Sequence, residues 1–353
     1  MDAEKYFMKR FLSGTFFLLA FTFAAMGCTS AIVSGKLTRD GKPLMWKHRD
    51  TSTLENFVER VDAKDGKLGF VALFNGGDSL LTEAWTGLND AGFAIMNTAS
   101  YNLMPDTAKF KDQEGAVMRL ALERCRTLAD FEALLDTLPR PMGVQANFGV
   151  LDSEGKGAYY ETDDFGFKRF LLDDEPSGII IRTNFSYTGE KDAGYGYIRR
   201  DNAKAQLSDA IKRHDITPAI FTDTLSVRFY HSVLGNDFTD MPDVSFVVDQ
   251  DFIPRASSTA SIVIESNGPE SIMWTELGYP PVAHVEKVTV NSIPEQLRPT
   301  LPGVLSPESG AALERKKSVF SITRGSGPKY VNLNAVREIS TEQRKISKEN
   351  YKK

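Results

Sequence analysis

The sequence predicts an α+β chain in which two antiparallel sheets pack face to face between two outer layers of helices. Three observations carry this. The element order reads strands, helix pair, strands, helix pair, strands, which is not the alternation of βαβ units. Turn signals of the Asp-Gly and Asn-Gly kind join strand-like runs directly, so sequence neighbours become antiparallel partners. The chain has 353 residues, 41% hydrophobic and 25% charged, an ordinary globular composition with room for one large domain or two smaller ones. No internal repeat or low-complexity linker divides it.

From the N-terminus, Lys9-Arg10, an apolar run over 16–23 and the small residues Ala25 and Gly27 at −3 and −1 have the layout of a secretory leader, residues 1–27. The apolar run is too short for a comfortable transmembrane span. The mature chain is therefore expected to carry no transmembrane segment and to be exported, to a bacterial periplasm or beyond. Runs 29–35 and 43–48 flank Arg39-Asp40-Gly41-Lys42 and form a hairpin. Further strands are expected over 56–61, 68–74, 84–88 and 93–97, the last two joined by the turn 89–92. A helix follows over 115–124. A second starts at Thr127, an N-cap with Asp130 three positions on, and ends before Pro139 and Pro141. Strands resume over 146–151, 157–162, 167–172 and 178–184. A second helix pair is expected over 200–214 and from Thr217-Pro218 onward, with proline in a first turn. The last strands are 258–264, 271–275 and 284–290, which close a main domain of residues 28–310. Residues 311–353 hold eleven Lys/Arg against four Asp/Glu and form a basic extension. Its end, 335–353, is expected as a polar helix lying solvated on the surface.

A net charge of −5 gives no sign of a polyanion-binding surface, so nucleic acid is not an expected partner. Two cysteines, Cys28 and Cys125, make no disulfide framework, and Cys125 sits in a helical apolar pattern as a core residue. The four histidines show no pair at metal spacing, and no cofactor is expected.

Cleavage after Gly27 would make Cys28 the first residue of the mature chain. One residue then holds a thiol, a strong nucleophile when deprotonated, and an α-amine whose ordinary pKa is roughly 7.7–8.0. Asp50, returning on the hairpin, could accept hydrogen bonds from the α-ammonium. Lys47 or Arg49 could favour the thiolate. Strand alternation puts His48 and Asp50 on one face and Lys47 and Arg49 on the other, so only one pair can face the cysteine. Asn97 and Asn184 each end an apolar strand, and an asparagine amide can donate to an oxyanion without carrying charge.

Four segments, Cys28-Thr29-Ser30-Ala31-Ile32, Lys47-x-x-Asp50, the stretch 88–97 ending in Asn97, and Arg182-Thr183-Asn184-Phe185, resemble the N-terminal-nucleophile cysteine amidases. That family includes penicillin V acylase, choloylglycine (bile salt) hydrolase, acid ceramidase and the acyl-coenzyme A:6-aminopenicillanate acyltransferases. The resemblance implies a four-layer αββα sandwich and an acyl-enzyme on Cys28 with its own amine as base. It also implies a small N-acyl amide as substrate and assembly into homo-oligomers. It matches Asp50 to the aspartate beside the nucleophile, Asn97 to an oxyanion donor, and Asn184 to the asparagine that positions the amine. Two features depart from the pattern. Lysine stands at 47 where relatives have arginine, with Arg49 displaced by two. The arginine expected after the serine-rich 257–261 is missing, and Arg255, just before it, is the replacement. Two other readings stand beside the hydrolase. One is a cell-envelope lipoprotein anchored through Cys28 and binding a ligand without catalysis; the other is acyl transfer to an amine.

Overall fold

The computed structural model describes residues 27–103, 108–322 and 329–353. Apart from Gly27, the leader expected over 1–27 lies outside the described residues. Two large antiparallel sheets form the centre. One has seven strands in sequence order: β3 Asn56–Val61, β4 Phe70–Asn75, β5 Thr86–Asn89, β6 Ala94–Ala99, β7 Ala146–Leu151, β8 Gly157–Thr162 and β9 Phe167–Leu171. Each strand pairs with the next, as direct turns require. The other has six strands in the order β10 (Ile179–Arg182), β1 (Thr29–Val33), β2 (Leu44–Asp50), β14 (Ser258–Glu265), β15 (Ile272–Leu277) and β16 (Glu286–Val288). The strand numbers left between are short ladders: β11 Tyr230–His231 with β12 Asn236–Asp237, and β13 Phe246–Val248 with β17 Tyr330–Asn332.

The core settles the layering. Between the sheets lie Ile32, Met45, Val71, Leu88, Met96, Tyr159, Ile262 and Met273. The far face of the seven-stranded sheet packs Phe74, Ile95, Phe148 and Tyr160 against α1 (Glu114–Arg124) and α2 (Leu128–Thr137). The far face of the six-stranded sheet packs Ala31, Trp46 and Val263 against Ala203 and Leu207 of α3 (Tyr197–Arg213) and the helical turn holding Phe221 and Leu225. Four layers result, as the pattern predicts. Thr127 caps α2 through a reciprocal bond with Asp130. In the turn after β5, Asn89 is fully buried: Oδ1 accepts from the Ala91 and Phe93 amides, and Nδ2 donates to the carbonyls of Leu122 and Cys125. The turn thereby caps the end of α1. Gly92 has φ +90°, and a Cβ there would stand 2.3 Å from the Gly268 backbone.

The structure corrects three expectations. The helix expected from Thr217-Pro218 is one short turn, Pro218–Ile220, passing into a wider coil over Phe221–Leu225. The last strand is confined to Glu286–Val288. The C-terminal extension is not a solvated helix. It begins with α4 (Pro307–Val319), which runs across residue 310, and ends with α5 (Leu333–Asn350). Ala312, Lys316, Val336, Gln343, Ser347 and Asn350 on these helices are buried. Arg344 of α5 reaches Asp223 and the fully buried Glu276 of β15, both at 2.8 Å. The charge count of this segment reads as solvent exposure, but the i, i+3, i+4 positions within it carry the contact face.

Candidate active site

Cys28 immediately precedes β1, and β1 pairs on both sides, with β10 and with β2. Its thiol lies 3.9 Å from the Asp50 carbonyl, so the hairpin does bring the two together. Residues 30 and 32 of β1 face the inter-sheet core, where Ser30 Oγ meets Tyr159 OH at 2.8 Å. Cys28 shares their parity. On β2, Met45 faces the same interior, and Lys47 and Arg49 follow it; Trp46 faces α3, and His48 and Asp50 follow that side. Alternation thus gives the cysteine side chain the Lys47 and Arg49 face. Asp50 serves its main-chain side.

Around Asp50 the ladder between β2 and β14 slips at Ser258 and Ala260. This bulge turns Ser258 Oγ onto Asp50 Oδ1 at 2.6 Å, while His48 Nε2 meets the same hydroxyl at 2.8 Å. Burial holds the His48 pKa down at about 4. The ring is therefore neutral, and its Nε2–H donates to Ser258, which donates to Asp50. Asp50 also forms an ion pair with Arg255, whose Nη2 donates to the Gly27 carbonyl at 2.5 Å. Burial opposes the Arg255 charge, yet Asp50 outweighs it and raises the pKa.

Lys47 crosses between the sheets to the end of the ladder between β5 and β6, whose last pair is Thr86 with Met96. Its Nζ donates to Trp85 O at 2.5 Å and to Asn97 Oδ1 at 2.7 Å. With Oδ1 committed to Lys47, the donor end of the Asn97 amide is turned the other way. Burial lowers the Lys47 pKa to about 7, the Cys28 charge working against this and Arg49 with it. Arg49 itself is held by Asn56 Oδ1 at 2.5 Å and Asn75 Oδ1 at 2.6 Å, and burial lowers it to about 10. Of the three candidate cations, then, Arg255 holds Asp50, Lys47 holds Asn97, and Arg49 is tied back to two neighbouring strands.

Asn97 lies within β6 rather than at its end, and Asn184 lies two residues beyond β10, bridged to Tyr195. Asn184 Nδ2 donates to Ala99 O at 2.9 Å, and its Oδ1 accepts from Arg199 at 2.7 Å. Arg199 is the residue sequence reasoning missed. Its guanidinium also reaches Cys28 O at 2.7 Å, Thr29 Oγ1 at 2.9 Å and Gly27 O at 3.2 Å. Burial lowers its pKa to about 9, with Arg255 adding to that. A signal was present: Arg199, Asn202, Ala203, Leu207 and Ala210 form the buried stripe of α3, and arginine in such a stripe needs a partner. Ser258 was passed over as one of a serine run. Gly27 closes the cradle, since a Cβ there would come within 2.7 Å of Asn184 Oδ1, Arg199 and Arg255.

Cys125 is buried at the end of α1, its pKa pushed up to about 12 by burial. It is an inert core thiol.

No protein-family model and no curated protein sequence matches the chain. Among solved structures it is similar to an N-acylethanolamine-hydrolyzing acid amidase ortholog of Caenorhabditis elegans, with TM-score 0.45 and 14% identity, over 67% of this chain and 92% of that one. It is also similar to a mutant conjugated bile acid hydrolase from Clostridium perfringens, with TM-score 0.48 and 10% identity, over 76% and 93% of the two chains. A third is penicillin V acylase from Agrobacterium tumefaciens, with TM-score 0.44 and 12% identity, over 75% and 87%.

Proposed function

We propose that the chain, once cut between Gly27 and Cys28, hydrolyses linear amides with the Cys28 thiolate as nucleophile. One observation carries this reading. Lys47, Arg49 and Arg199 are buried around Cys28 with Arg255 half-buried beside them, and among the described residues only Arg255 has a carboxylate within 4 Å. Buried cations without a close counter-ion are costly. A thiolate at Cys28 adds an anion whose charge acts on all four, alongside the carboxylates of Asp50, Glu83, Glu114 and Asp251.

The steps follow from the placement. The freed α-amine takes the thiol proton, and Asp50 with Asn184 holds the resulting ammonium. The sulfur attacks the amide carbon, and the carbonyl electron pair moves to oxygen, where Asn97 Nδ2 and a backbone N–H receive it. The C–N bond breaks, and the amine leaves with the proton returned by the ammonium. Water, deprotonated by the α-amine, then attacks the thioester; the C–S bond breaks, the acid departs, and the thiolate is restored. Removing Gly27 turns the N–H groups of Arg199 and Arg255 that now hold its carbonyl toward the substrate's space.

The lipid-anchor reading uses the same thiol and amine and therefore competes directly. The geometry favours the nucleophile, because the Cys28 carbonyl is gripped by buried Arg199 and its thiol lies against the Asp50 main chain, only partly exposed. Export across an inner membrane belongs to either reading. The test is turnover of N-acyl amino acids, conjugated bile salts and penicillin V by the wild type and Cys28→Ala. Activity is expected with at least one class and lost in the variant; full activity in Cys28→Ala would contradict the mechanism. Asn97→Ala is expected to lower kcat by about 10²–10³.

A further inference from the structure

The chain from Ser306 onward touches the supports of the site at two points. At the start of α4, Ser306 N and Oγ both donate to Asn56 O at 3.2 Å, and Asn56 N donates to Ser309 Oγ at 3.2 Å. Asn56 is the residue whose side chain holds Arg49. Further along the helix, buried Lys316 lies over the rings of Tyr279 and Phe320, at 5.3 and 5.7 Å. Its Nζ donates to Ala256 O at 2.5 Å and reaches Ser258 O at 3.5 Å. Those carbonyls belong to the turn between Arg255 and the bulge. The same turn is held from its other side by Asp249, which accepts from Ala256 N and Lys329 N, both at 2.8 Å. The ladder of β13 with β17 fixes Asp249 to the C-terminal segment.

We infer that Lys316 is a positioning residue of the nucleophile's site, locking the turn 255–258 so that Arg255 and Ser258 hold Asp50. The inference rests on the hydrolase reading. Burial lowers the Lys316 pKa to about 8, while the charges of Asp50 and Asp249 pull it up, so the ammonium is electrostatically tied to Asp50 without touching it. A lysine that only filled space between two rings would leave the reactivity of Cys28 unchanged when replaced. A lysine that sets the turn would not, because small displacements of positioned groups can cost on the order of 10²-fold.

The experiment uses the full mature chain with Lys316→Met, of similar length and uncharged, and Lys316→Arg. Three quantities are measured: the rate of Cys28 alkylation by iodoacetamide, followed by intact mass; kcat and KM on the best amide substrate; and Tm. Lys316→Met is expected to slow alkylation and lower kcat by roughly 10–100-fold with KM little changed. Lys316→Arg is expected to restore most of both. If Lys316→Met does not fold, Lys316→Gln, which keeps an amide donor without charge, takes its place with the same expectation. Alkylation and kcat at wild-type values in the uncharged variant, whatever its Tm, overturn the inference. Should the wild type turn over no amide while its alkylation rate still depends on Lys316, the hydrolase reading fails and the positioning role stands.

Discussion

Lys47 is where the chemistry of this site departs most from an arginine-based one. An arginine beside the nucleophile stays charged at any working pH. Burial brings Lys47 to about 7, so its charge is present below that pH and is lost as pH rises through it, long before the 10.5 of an ordinary lysine. The cation that bonds Asn97, and that in the proposed mechanism favours the thiolate, therefore titrates near neutrality. The alkaline limb of kcat/KM is expected near pH 7 in the wild type and at clearly higher pH in Lys47→Arg; coincident limbs would contradict this role. The hairpin alone suggests Asp50 with Lys47 or Arg49 beside Cys28, while the family resemblance adds the roles of Asn97 and Asn184 and the choice of Arg255 as the replacement arginine. The structure joins Asp50 and Asn184 to the Gly27–Cys28 main chain through Arg255 and Arg199, and pairs Lys47 with Asn97 as a separate bond across the sheets. Arg199 escaped because its burial shows only when the stripe it shares with Asn202, Ala203, Leu207 and Ala210 is traced along the helix. Arg49 keeps its electrostatic link to Cys28, but its ties to Asn56 and Asn75, which reach into the other sheet, were not legible.

At the scale of elements, the hairpin β1–β2 delivers Asp50 and Lys47 to opposite sides of the cysteine, and period-two alternation alone foretold that split. Which side the thiol takes could not be read, since it depends on how Cys28 leaves the strand end. The bulge in β14 is likewise invisible in a serine-rich run, yet it aims Ser258 at Asp50. The helices α4 and α5 were misjudged from charge. Arg344 shows why: besides its ion pairs it donates to the carbonyls of Thr222, Pro280 and Ala283, tying α5 to two separate segments. Burial has already pushed the Glu276 pKa to about 8 against the pull of Arg344, so without Arg344 the carboxyl stays protonated while the carbonyls of Thr222, Pro280 and Ala283 lose their donor. Arg344→Ala is expected to cost about 1–3 kcal/mol in denaturant unfolding. A loss below 1 kcal/mol would show that α5 is held by its apolar face alone.

For the molecule as a whole, the four layers were legible because strand runs, direct turns and helix pairs recur in an order that only a two-sheet stack accommodates. The site sits where the ends of both sheets meet: β1 and β2 bring the nucleophile and its carboxylate, β6 brings Asn97, and the segment after β10 brings Asn184. The C-terminal segment closes the structure behind them, so folding and chemistry share supports. All of this converges on one atom pair, the thiol and α-amine of Cys28. Mass spectrometry of the mature protein, intact and after digestion, tests that claim most directly. The account predicts a chain that begins at Cys28 with both groups unmodified, and alkylation at Cys28 rather than at buried Cys125. A diacylglyceryl adduct on Cys28, or a mature chain still carrying Gly27, would contradict it.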